Sequence, residues 1–117
     1  MDILHLREYC LAKKAVTEDT PFDEVTLVFK VAGKMFCLCN IEKFVSVNLK
    51  CDPEKAIELR EQYIAVKPGY HMSKKHWNTI DFGIDASTSE ILQWVDESYN
   101  LVVKGLTKKL RSELDLT

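Results

Sequence analysis

Apolar residues recur every third or fourth position near the start of the chain. Ile3, Leu6 and Cys10 share one stripe with Leu4 and Leu11 beside it, which predicts a first helix that Asp2 can cap. Lys13 and Lys14 suit its negative C-terminal end. Thr17 to Glu24 then sets Glu18, Asp19, Asp23 and Glu24 around Pro21 and reads as a solvated loop. From there the period falls to two. Val25, Leu27, Phe29 and Val31 alternate with Thr26, Val28 and Lys30, and Ala32-Gly33 divides this run from Lys34 to Cys39, so a hairpin with a two-residue turn is predicted. A third strand places Val45, Val47 and Leu49 toward a core and Ser46, Asn48 and Lys50 toward water.

The helical period returns after Asp52-Pro53-Glu54, an oxygen cap followed by a proline and an acid suited to a helix start. Ala56, Leu59, Arg60 and Tyr63 share its inward stripe, Arg60 by its aliphatic stem. Pro68-Gly69 breaks this helix, Tyr70 to Met72 are extended, Ser73 caps a single turn through His76, and Asn78 to Phe82 form a last strand. Ser87-Thr88-Ser89-Glu90 is a capping box for a final helix, whose stripe runs through Ile91, Val95, Val102, Leu106 and Leu110. Gly105 costs that helix about 1 kcal/mol and is read as a point of close packing inside it. Lys108, Lys109 and Arg111 then fall near its C-terminus, matching the dipole. The order of elements predicts an α+β fold, an antiparallel sheet with helices packed on one face, as one domain spanning residues 1–117.

Composition narrows the setting. With 117 residues, 46% hydrophobic and 29% charged, the chain matches one compact domain. Its apolar runs are too short to span a bilayer, and the stretch MDILHLREYC is no cationic apolar leader, so a cytoplasmic protein without membrane contact is expected. A net charge of −2 excludes long-range attraction of nucleic acid by the whole molecule and requires a local patch. Cys10, Cys37, Cys39 and Cys51 fit no zinc spacing and are expected as free thiols. Cys51 precedes a helix start, a position that can lower its pKa.

The chemistry concentrates between Pro68 and Ile80, PGYHMSKKHWNTI. No Asp or Glu stands from Gln62 to Ile80, so Lys67, Lys74 and Lys75 carry three positive charges, joined by His71 and His76. Trp77, beside a strand start, is expected to anchor the stretch in the core. Pro68, His71, Lys74, His76, Trp77 and Thr79 stand as in the PxxHxxKxHWxT signature of the MmcQ/YjbR family, which this stretch resembles. FKVAGKMF (29–36), VNLKCDPE (47–54) and SYNLV (98–102) also look like family blocks. Ser73 departs from the Asn frequent among relatives, and Lys75 stands at a variable position. The resemblance implies a frataxin-like (CyaY-like) fold and the DNA binding proposed for the family, through the open sheet face and its connecting loops. Frataxin carries an acidic metal ridge along its first helix. Here that helix has only Asp2 and Glu8.

Three functional classes follow. In the first, a nucleic-acid-binding module, Lys67, Lys74, Lys75 and His76 contact phosphates while Tyr70 offers a stacking surface. Three phosphate contacts imply weak binding to duplex DNA with a salt slope of about −2.7. In the second, His71, Lys74 and His76 enclose a small anion or a metal at the Ser73 turn. In the third, the motif meets a partner protein. An enzyme is disfavoured, because no carboxylate in the motif orients a His and no nucleophile adjoins one. No catalytic residue, metal ligand or cofactor is assigned.

Overall fold

The structure is a computed structural model and describes residues 1–69 and 72–116. It contains α1 (Ile3–Leu11), β1 (Val16–Asp19), β2 (Thr26–Val31), β3 (Lys34–Asn40), β4 (Ser46–Lys50), α2 (Pro53–Gln62), β5 (Val66–Pro68), β6 (Trp77–Asp81), α3 (Thr88–Lys104) and α4 (Lys108–Glu113). The strands form one sheet in the order β1-β2-β3-β4-β6-β5, and every neighbouring pair is antiparallel. Helices α1, α2 and α3 cover one face. Leu6, Cys10, Leu59, Ile91, Trp94, Val95 and Val102 meet Phe29, Val31, Cys37, Val47, Leu49, Val66 and Ile80 there in the main core. This is the α+β architecture expected from the periodicity.

Local chemistry accounts for most boundaries. Asp2 caps α1 through the His5 N–H at 2.8 Å, Asp52 caps α2 ahead of Pro53, and Ser87 and Glu90 form the predicted capping box of α3. Ala32 and Gly33 both adopt positive φ, 51° and 79°, the geometry of the two-residue hairpin turn between β2 and β3.

Several expectations are corrected. The acidic stretch after Val16 begins as an edge strand. Glu18 is paired with Arg7 of α1 at 2.6 Å and Asp19 with Lys30 at 3.5 Å, so these two acids are matched by cations. Lys13 and Lys14 lie beyond the last turn of α1 and are paired with carboxylates, Lys13 with Asp96 of α3 and Lys14 with Asp115 at 2.7 Å. Val45 lies outside β4 and is 64% exposed. Helix α2 ends at Gln62, well before Pro68-Gly69, and Val66–Pro68 adds the edge strand β5. Gly105 is the C-cap of α3, and Thr107 starts α4 by accepting from the Leu110 N–H at 3.1 Å. The late basic residues therefore belong to a separate helix.

The face predicted to be wet is partly dry. Val28, Leu38 and Trp77 are buried together on the side of the sheet away from the helices, with Met35 and Met72 packed on them. Trp77 is thus an anchor, as expected, but in this second, smaller core.

Candidate nucleic-acid interface

The basic motif forms the connection between β5 and β6, and its base is closed by backbone bonds. The Gly69 N–H donates to the Trp77 carbonyl at 2.7 Å; a Cβ at Gly69 would lie 2.7 Å from the Trp77 Cβ, so only glycine fits this neck. The Ser73 carbonyl accepts from the N–H groups of His76, at 3.1 Å, and Trp77, at 3.0 Å, which turns the chain back into the sheet. The His76 carbonyl in turn accepts from the Cys51 N–H at 2.7 Å, tying the turn to the start of α2.

Arg60 completes the frame. Its Nε donates to the Asn78 Oδ1 at 2.7 Å and its Nη2 to the carbonyls of Lys74 and, at 3.4 Å, Trp77. Asn78 is itself buried, and its Nδ2 donates to the Ala56 carbonyl at 3.4 Å. The guanidinium, not only the stem, is therefore what this residue contributes. Lys74 and Lys75 stand exposed on the turn so fixed, and among the described residues neither has an ion-pair partner. Lys67 differs, because its Nζ lies 2.5 Å from the Asp81 carboxylate. His76 is half-buried beside the two free lysines. Tyr70 and His71 lie outside the described residues. Among the described residues no group of three His, Cys, Asp or Glu side chains is placed to hold a metal.

The turn borders a groove of about 490 Å³ on the helix-free face. Thr26, Met35, Leu38, Asn40 and Asn48 line its floor, with Phe22 and Asp23 of the β1–β2 connection on one side and Met72 and Ser73 on the other. Phe22 is 64% exposed. Asp23 accepts from the N–H groups of Val25 and Thr26 and from the Thr26 hydroxyl, and these bonds hold its carboxyl below the ordinary range. Asn40 spends its oxygen on the N–H groups of Glu42, at 2.9 Å, and Lys43, at 2.8 Å, while the Asn48 oxygen accepts from the Thr79 hydroxyl at 2.5 Å. Both amide nitrogens remain without a partner among the described residues. The sequence reading missed Phe22, Asn40 and Asn48. A large aromatic in an otherwise polar loop was the one available signal for Phe22, and the outward register of β4 was that for Asn48.

Comparison with known proteins agrees with this architecture. The YjbR family model matches residues 11–101. The chain belongs to the YjbR family. It is 33% identical to Escherichia coli K12 YjbR over 115 residues, covering 97% of this chain and 98% of that protein. With YbdF of Escherichia coli O157:H7 it shares 41% identity over 90 residues, 76% of this chain and 74% of the relative. The crystal structure of Deinococcus radiodurans protein DR2400 superposes with a TM-score of 0.89 at 38% identity, over 99% of this chain and 89% of that one.

This YjbR-family chain has a second, smaller cavity of about 180 Å³ between α2, α3 and the sheet, lined by Leu49, Cys51, Leu59, Trp94 and Leu101. The Lys55–Glu97 ion pair, at 3.3 Å, links the two helices beside it. The Cys51 thiol is pushed up to about 11, first by burial and then by Glu97, and this outweighs the lowering expected from the helix start. Cys10, Cys37 and Cys39 are buried free thiols of the main core, and burial holds Cys37 well above its ordinary value. Among the described residues no helix is long and apolar enough to cross a membrane.

Proposed function

We propose that this protein is a nucleic-acid-binding module that presents the Ser73–His76 turn and the adjoining groove to its ligand. One observation carries the reading: Lys74 and Lys75 are exposed and unpaired among the described residues, on a turn held by Arg60. A fixed pair of free cations beside an open groove suits phosphates that follow one another along a strand. The family's proposed DNA binding points the same way. Support for a small anion enclosed by His71, Lys74 and His76 is weaker, because Lys74 faces solvent and His76 lines neither cavity described above.

A protein partner is the second reading, favoured by the exposed ring of Phe22 and the apolar Met35, Leu38 and Met72 around the groove. The test replaces Lys74 and Lys75 together by Glu and measures oligonucleotide binding at low salt. Loss of binding with an unchanged thermal melt supports the nucleic-acid reading. Unchanged binding, or none by the unaltered protein, overturns it, and the partner-protein reading then takes its place.

A further inference from the structure

We infer that the groove on the helix-free face receives an unpaired nucleobase, on a single strand whose phosphates run along Lys74 and Lys75. The inference rests on the nucleic-acid reading above and narrows its substrate to single strands. Four features of the groove support it. Its volume, about 490 Å³, falls in the usual range for small-molecule sites. The Phe22 ring at one wall is 64% exposed, and an aromatic face in water gains by stacking on a base. Opposite it Met72 adds a polarizable apolar wall next to Ser73, from which the chain leads directly to the two lysines.

The fourth feature is hydrogen bonding. The oxygens of Asn40 and Asn48 are engaged, which leaves their amide N–H groups as donors at the floor. Asp23, ionised and held by backbone bonds, adds an acceptor at the wall. Donors and an acceptor together match in kind the edge of a base that carries both carbonyl oxygens and a ring N–H, as thymine and uracil do. The pairing edge of adenine offers one acceptor, N1, beside its amino donor, and so engages one amide fewer. In an intact duplex that edge is already paired and both base faces are stacked, so the groove is of no use to it.

The test measures binding of oligothymidylate, oligoadenylate, their duplex, an abasic strand of equal phosphate count and thymidine monophosphate. The full chain is compared with Phe22→Leu and with the Lys74→Glu/Lys75→Glu double variant. Phe22 is exposed, so leucine removes the ring without removing a core contact. Oligothymidylate should bind more tightly than each of the other four. Phe22→Leu should weaken it by about tenfold or more while leaving the duplex and the abasic strand unchanged. The lysine double variant should weaken every strand, with or without bases. Asn40→Asp keeps the oxygen that holds Glu42 and Lys43 but loses the donor, and should weaken oligothymidylate more than the abasic strand.

An oligothymidylate affinity unmoved by Phe22→Leu overturns the inference while the lysine-dependent reading stands. Equal affinity for the duplex or for oligoadenylate does the same, and equal affinity for thymidine monophosphate reassigns the groove to free nucleotides. Failure of every strand to bind removes the nucleic-acid reading itself.

Discussion

The Arg60 guanidinium reaches from α2 to two carbonyls of the basic turn and to Asn78, whose side chain is 1% exposed. Arg60→Met keeps the aliphatic stem and strands the Asn78 oxygen in a dry site, so it should destabilise the protein by about 1–3 kcal/mol. Denaturant melts check this, and a loss below about 0.5 kcal/mol would mean that water replaces the guanidinium. The sequence placed Arg60 on the inward stripe correctly, yet its partners lie 14 to 18 residues along the chain on the far side of a hairpin, out of reach of any periodicity. Cys51 shows the same limit. A helix start lowers a thiol pKa only when water or donors reach the sulfur, and burial reversed the sign here. With its pKa at about 11 instead of the ordinary value of about 8.5, Cys51 should hold roughly a hundredfold or more less thiolate at pH 7 than in the unfolded chain. Native-state alkylation at this residue should therefore be slow and keep accelerating into strongly alkaline solution, whereas rapid labelling at neutral pH would contradict the burial.

Elements with strong internal signals were legible: the capped starts of α1, α2 and α3, the β2–β3 hairpin and the alternation in β4. The edge strands β1 and β5 were not, because each is short and takes its definition from the neighbour it pairs with rather than from a pattern of its own. The break at Gly105 was hidden because Leu106 and Leu110 continue the 3.6-residue stripe beyond it, although Thr107 offered a cap. Joints between elements rely on carboxylates. Asp85, in the β6–α3 connection, accepts from the N–H groups of Ile64, at 2.8 Å, and Ala65, at 2.9 Å, and so fastens the start of β5. Backbone bonds lower the pKa of Asp85 and of Asp23, and a backbone bond from Ser87 together with the Tyr63 hydroxyl lowers that of Glu90. A depressed folded-state pKa contributes stability that is complete above the unfolded value of about 4 and is lost as pH falls through the folded one. Stability should therefore decline on acidification below about pH 4, and Asp85→Asn, which retains an acceptor but no proton equilibrium, should flatten that decline. Urea midpoints across the acid range test this, and an acid limb unchanged by the substitution would assign the loss to other groups.

For the whole molecule, the helices leave one sheet face uncovered, and the protein closes only part of it with Val28, Leu38 and Trp77. What stays open is the groove and its two flanking connections, against a background of net charge −2. Counting lysines along the motif gave three phosphate contacts. The fold removes one of them, because β5 and β6 bring Lys67 against Asp81 at 2.5 Å, a pairing across the hairpin that the acid-free run of sequence concealed. On a single strand two free lysines imply a slope of log K against log salt of about −1.4, and a fourfold rise in salt should weaken strand binding about sevenfold. Asp81→Asn should release Lys67 toward the phosphates, steepening the slope toward about −2.1 and tightening binding at low salt. Affinity titrations of both proteins over a salt series decide the matter. A common slope would place Lys67 outside the contact surface, confining the phosphate path to the turn at Lys74 and Lys75, whereas the steeper slope in Asp81→Asn alone would extend that path along the β5 edge and make Asp81 a brake on binding.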